Sequence, residues 1–76
     1  MKQIYAILQE IRPEFDFSTS DDLIADGMLD SLDIVTLVST LDKRFGISID
    51  GVDITPENFR NVEAIGSLLQ KHGVNL

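Results

Sequence analysis

The chain reads as an all-α protein, a four-helix bundle of three main helices and a short third one, with a long first loop. Three observations predict it. Apolar residues recur at helical spacing in three separate stretches. Each stretch is closed by a proline or a glycine, the residues that stop helices. No stretch offers a strand a strong pairing partner, and a lone hairpin is marginal. Residues 1–76 are expected to form one domain, near the small end of what folds unaided.

Ile4, Ile7, Leu8 and Ile11 place a first helix over about 2–12. Pro13 ends it by pushing the preceding residue out of the α region, and Tyr5 lies beside the stripe as a half-buried packing residue. Residues 13–29 form a long connection, which is unusual in a small domain and often functional. Phe15, Phe17, Leu23, Ile24, Met28 and Leu29 should pin it across the helices, with a short turn around 21–25. The best-defined helix runs over 31–45. At 3.6 residues per turn, Ile34, Leu37, Val38, Leu41 and Phe45 make its core-facing stripe, and Gly46 suits the left-handed position past its end. Ile47, Ile49, Val52 and Ile54 alternate with polar residues as a strand would, and Asp50-Gly51 has hairpin composition. Without a partner strand, this segment is expected to be a structured loop. Thr55-Pro56 is a capping residue followed by proline at the first helical position, opening a short helix over 56–60 anchored by Phe59. Asn61 caps a last helix over 62–72, with Val62, Ile65, Leu68 and Leu69 facing the core and Gly73 ending it.

Composition narrows the function classes. With 43% hydrophobic residues and no cysteine, stability has to come from a packed core rather than disulfides. Six basic against thirteen acidic side chains give a net charge of −7. That charge disfavours nucleic acid and anionic membranes and favours partners with basic patches. No apolar run approaches the length that crosses a bilayer. The N-terminus lacks the apolar stretch and cleavage site of a signal peptide, so a cytoplasmic monomer without membrane insertion is expected. Enzyme chemistry is scarce. His72 is the single histidine, placed where it suits the last carbonyls of a helix. A serine hydrolase built on Ser31 would need a base held against the hydroxyl, and only the distant His72 or a carboxylate is on offer. The chain is not expected to be an enzyme.

Ser31 is the residue around which the candidate chemistry gathers. At the head of a helix, either Asp30 or Ser31 suits the capping role. Leu32 and Val35 sit off the edge of the core stripe, one turn apart, with Ser39 and Lys43 extending their row. An exposed apolar pair beside a hydroxyl reads as a docking patch. The acidic spacing from Asp22 through Asp26 and Asp30 to Asp33 partly matches a calcium loop, with Gly27 at its sixth position. Ile24 at the third position, an Asp in place of the bidentate Glu at the twelfth, and the lack of an incoming helix all count against it. A small acidic calcium-binding or interaction module without a prosthetic group remains the alternative class.

The run Asp26-Gly27-Met28-Leu29-Asp30-Ser31-Leu32-Asp33-Ile34-Val35 resembles the attachment site of the acyl carrier protein family. The Asp-Ser-Leu motif falls at the head of the second of four helices, and the similarity extends over roughly 2–72. The resemblance implies a carrier: a separate transferase, using magnesium, moves 4′-phosphopantetheine from coenzyme A onto Ser31, with Asp30 helping to position metal and phosphate. The thiol of the arm would then hold cargo as a thioester, supplying the sulfur that the chain lacks. The implied partners are that transferase, a loading ligase or acyltransferase, and downstream transferases or synthases of lipid or secondary-metabolite biosynthesis. Leu32, Asp33, Val35 and Asp42 match positions of the family's partner face, and Ser39 stands where a larger apolar contact is usual. Thr36, Lys43 and Arg44 occupy positions where fatty-acid carriers have carboxylates, and the 46–55 loop is longer than theirs. With the Asp-Gly-Met-Leu-Asp-Ser lead-in, the motif is more similar to stand-alone aminoacyl carriers, such as D-alanyl carrier proteins, and to carriers of specialised pathways.

Overall fold

A computed structural model describes residues 2–76 as an all-helical bundle: α1 Lys2–Ile11, α2 Ser31–Phe45, α3 Pro56–Phe59 and α4 Val62–Lys71. Two 3-10 turns, Phe17–Thr19 and Gly51–Asp53, lie in the connections. α1 packs on α2 and α4, and α3 packs on α4. The core is the sum of the apolar stripes. Ile4, Ile7 and Leu8 of α1 meet Leu37, Val38 and Leu41 of α2, Phe59 of α3, and Val62, Ile65, Leu68 and Leu69 of α4. Each fully buried side chain of this size is worth about 1.5–3 kcal/mol relative to exposure. Ile34 and Phe45, expected at the two ends of the α2 stripe, are half-buried and packed against the edge of the core.

The helix boundaries follow from caps. Pro13 stops α1 after Ile11. Past α2, Gly46 takes a left-handed φ of 65°, its amide donating to the Asp42 carbonyl. Thr55 caps α3 by accepting from the Asn58 amide, and Asn61 caps α4 by accepting from the Ala64 amide. At the end of α4, the His72 backbone amide, rather than its imidazole, donates to the Leu69 carbonyl. The alternating segment after α2 forms no strand among the described residues. Ile49 is buried, whereas Val52 is 83% exposed.

The long first loop is ordered by its apolar residues. Phe17, Leu23 and Leu29 are buried in the common core. The Asp16 side chain accepts from the Ser18 hydroxyl at 2.6 Å and from the Ser18 amide, capping the first 3-10 turn, and the hydroxyl bond together with the amide bond holds its carboxyl below the usual carboxylate range. The Leu23 amide donates to the Arg60 carbonyl at 2.6 Å, and Asn61 Nδ2 donates to the Asp21 carbonyl at 3.3 Å. These bonds fasten the loop to the α3–α4 corner. The Leu23 carbonyl then accepts from the amides of both Met28 and Leu29, closing a turn in which Gly27 has φ 74°. That turn delivers the chain to Asp30.

Candidate functional site

Asp30 leaves the buried Leu29 in an extended conformation, with φ −109° and ψ −175°, as a residue preceding a helix does. Its Oδ1 accepts from the Asp33 amide at 2.9 Å, and Asp33 Oδ2 accepts from the Asp30 amide at 3.1 Å. The pair is a reciprocal capping box in which Asp at the third helical position replaces the usual Glu or Gln. Of the two capping candidates, Asp30 is therefore the cap. The bond from the Asp33 amide, assisted by the charge of Arg12, holds the Asp30 carboxyl below the usual carboxylate range.

Ser31 is consequently the first residue of α2 and is spared the capping task. It is exposed, and among the described residues its hydroxyl takes part in no hydrogen bond. Beside it opens a groove of about 300 Å³ lined by Ser31, Ile34, Val35, Ile54, Thr55 and Pro56. Apart from two hydroxyls, its side chains are apolar. A second groove of about 350 Å³, lined by Asp22, Ile24, Ala25, Pro56, Glu57 and Arg60, shares Pro56 with the first but does not include Ser31.

Of the expected partner positions, Leu32 and Val35 stand outside the core at 77% and 63% exposure, and Ser39 is exposed. Two acidic positions stand elsewhere. Asp33 is 9% exposed, its carboxylate taken up by the Asp30 amide and by Arg12 Nε at 2.9 Å. Asp42 is half-buried and its Oδ1 accepts from the Ile49 amide at 3.0 Å, bracing the loop after α2. Both sit toward the core side of α2, where a carboxylate has to find donors. The partial calcium loop is likewise dispersed. Asp22 accepts from the Ala25 amide and Asp26 from the Ser20 hydroxyl, while Asp30 and Asp33 serve the capping box. Among the described residues no three His, Cys, Asp or Glu side chains converge where a metal ion would be held.

Two features were missed by reading the sequence. Arg12 reaches Asp33, Asp30 and Glu14 at 2.9, 3.5 and 3.3 Å. An arginine before a proline carries no local signal of that role. Ile54, Thr55 and Pro56, read only as a loop end and a helix start, form the far wall of the groove beside Ser31.

No curated protein and no solved structure matches the chain. A family model described as the phosphopantetheine attachment site matches residues 2–69. That span runs from the start of α1 to the last core residue of α4 and so takes in all four helices except the last two residues of α4. The site suits the group: an exposed serine hydroxyl without a hydrogen-bond partner among the described residues heads a helix, whose N-terminus favours a phosphate, next to a mostly apolar groove. The chain belongs to the phosphopantetheine attachment-site family of carrier domains, which bear 4′-phosphopantetheine on a serine.

Proposed function

We propose that this protein is a discrete acyl or aminoacyl carrier modified at Ser31. The observation that carries the reading is the division of labour at the head of α2: Asp30 caps the helix and leaves the adjacent hydroxyl exposed. In loading, the Ser31 oxygen forms a bond to phosphorus as the pyrophosphate link of coenzyme A breaks. Adenosine 3′,5′-bisphosphate leaves, and the hydroxyl proton passes to a base on the transferase. Asp30, whose side chain is 60% exposed, is open enough for its carboxylate to meet the transferase's magnesium. Once attached, the arm supplies the thiol that holds cargo as a thioester. The apolar groove along Ile34, Val35, Ile54 and Pro56 suits the inner part of the arm or an apolar cargo.

Leu32, Val35 and Ser39 form the face offered to partner enzymes: the phosphopantetheinyl transferase, a loading ligase or acyltransferase, and downstream transferases or synthases. Asp33 and Asp42 support that face from behind. Docking is transient, steered by the net charge of −7 and completed by a small apolar contact. In this reading the protein acts in the cytoplasm as a monomer and carries cargo for other enzymes rather than catalysing a reaction itself, which the carrier role of its family supports. Among those residues, no helix is long and apolar enough to cross a membrane. The Asp-Gly-Met-Leu-Asp-Ser lead-in and the cations Lys43 and Arg44 late in α2 support an aminoacyl or specialised-pathway carrier over a fatty-acid one. The calcium-module alternative is not favoured, because its carboxylates are taken up by hydroxyl, amide and Arg12 donors and among the described residues no three of them converge.

Incubation with coenzyme A, magnesium and a broad-specificity phosphopantetheinyl transferase tests the reading by intact mass. Wild type gains one phosphopantetheine, whereas Ser31→Ala, equally folded, gains none. Loading of the alanine variant would overturn the site. No gain on wild type, with the transferase active on a control carrier, would overturn the carrier function.

A further inference from the structure

The Asp30–Asp33 capping box is gripped from outside by one side chain of another element. Arg12 follows the last turn of α1, its amide still bonded to the Leu8 carbonyl at 2.9 Å. From there its guanidinium spans to α2, with Nε on Asp33 Oδ2 at 2.9 Å and a terminal nitrogen 3.5 Å from Asp30 Oδ2. A planar fork suits a cation that has to hold two carboxylates at once. Two like charges meet in this box, and each carboxylate also accepts the other residue's amide. Ser31 lies between them in sequence, so its backbone is held on both sides by bonds whose acceptors Arg12 holds in turn.

Toward Asp30 the clamp adds little stability: the Arg12 head is about one-third exposed and the Asp30 side chain 60% exposed, and ion pairs with that much solvent contribute little to folding. Toward Asp33, whose side chain is 12% exposed, Arg12 also supplies a charged donor to a carboxylate mostly out of solvent, so its loss costs some stability as well. The Asp30 cap and its bond to the Asp33 amide do not pass through Arg12. What the guanidinium fixes is geometry: the rotamers of Asp30 and Asp33, and through them the path of the chain at Ser31. We propose that Arg12 is a positioning residue for loading. It holds the capping box so that the Ser31 hydroxyl and the exposed edge of the Asp30 carboxylate face the transferase together. The proposal rests on Ser31 being the attachment point. A hydroxyl that has to meet phosphorus in line loses rate steeply when its aim is off.

Steady-state loading by the transferase, with coenzyme A and magnesium saturating and the carrier varied, tests it. Arg12→Ala is expected to lower kcat by about ten- to a hundredfold, since a 1 Å misplacement can cost on the order of a hundredfold, with KM for the carrier within about twofold of wild type. Arg12→Lys restores part of kcat, because an ammonium reaches one carboxylate at a time. Asp33→Asn keeps an acceptor for the Asp30 amide but sheds the charge that Arg12 grips. It should lower kcat similarly, and adding Arg12→Ala to it should cost little more. Amide hydrogen exchange supplies a readout that does not depend on loading. Arg12→Ala should speed exchange at Asp33 by a larger factor than at the core amides of Leu37 and Leu68. An unchanged kcat in both Arg12→Ala and Asp33→Asn would overturn the proposal. So would a rise in KM alone, which would make Arg12 a docking contact. Wild type and Ser31→Ala, run alongside, separate failure of the clamp from failure of the attachment site.

Discussion

Two carboxylates one helical turn apart flank Ser31, and their surroundings give them different duties. Asp33 is turned inward with Oδ2 engaged by Arg12 and the Asp30 amide, whereas the Asp30 side chain stays 60% exposed. The Asp30 carboxyl is held below the usual carboxylate range by the Asp33 amide and by Arg12. Around the ordinary aspartate pKa of about 3.9 the folded state therefore binds fewer protons than the unfolded chain. The stability gained from this charge is present above that pH and is lost as acid takes the solution down through the folded value. Asn caps a helix nearly as well as Asp but does not titrate. Urea midpoints of wild type and Asp30→Asn should thus differ in favour of wild type at about pH 6 and converge toward about pH 3. A constant gap would mean that the charge contributes nothing to the cap. At this scale the sequence carried Ser31 and its neighbours plainly, because a capping residue, a hydroxyl and an amphipathic run are local signals. Asp33 could not be placed from its position alone. Its burial depends on Arg12, 21 residues earlier, and no local pattern links the two.

Among the elements, α2 divides its surface in an orderly way. Leu37, Val38 and Leu41 face the core, and the Thr36 and Thr40 hydroxyls bond back to the Leu32 and Thr36 carbonyls. Leu32 and Val35 are left as an apolar pair in solvent. Val35→Asp should therefore leave helix content by circular dichroism unchanged and raise KM for partner enzymes about tenfold, the size of effect expected at a small interface's central contact. A loss of helix content would place Val35 in the core instead. The helix ends were legible because Pro13, Gly46, Thr55-Pro56, Asn61 and Gly73 are local punctuation. The groove was not. Its walls, Ser31–Val35 and Ile54–Pro56, lie about twenty residues apart and meet only once the bundle has packed.

The whole molecule is small, 28 × 24 × 18 Å over the described residues, and its single core draws on every helix and on the first loop. Phe59 is its largest contribution from the short α3, fully buried and packed where α3 meets α4. Phe59→Ala should cost about 3–5 kcal/mol, a large share of the roughly 5–15 kcal/mol that holds an ordinary domain together. Urea denaturation would read this as a midpoint shifted far toward zero, and an unchanged midpoint would mean that α3 is dispensable to the core. The bundle as a class was legible from its stripes. The fastening of the first loop to the α3–α4 corner through Leu23 and Asn61 was not, since backbone bonds of this kind leave no compositional trace.

Because Asp30 does the capping, nothing in the fold demands a serine at position 31. The two adjacent residues therefore answer to different pressures over evolutionary time. With Ser31 as the proposed attachment point, a lineage that lost its transferase would be free to drift there while folding still selected for Asp30 and Asp33. Descendants of such a lineage would look intact as bundles and be inert as carriers, told apart from working ones by a single hydroxyl.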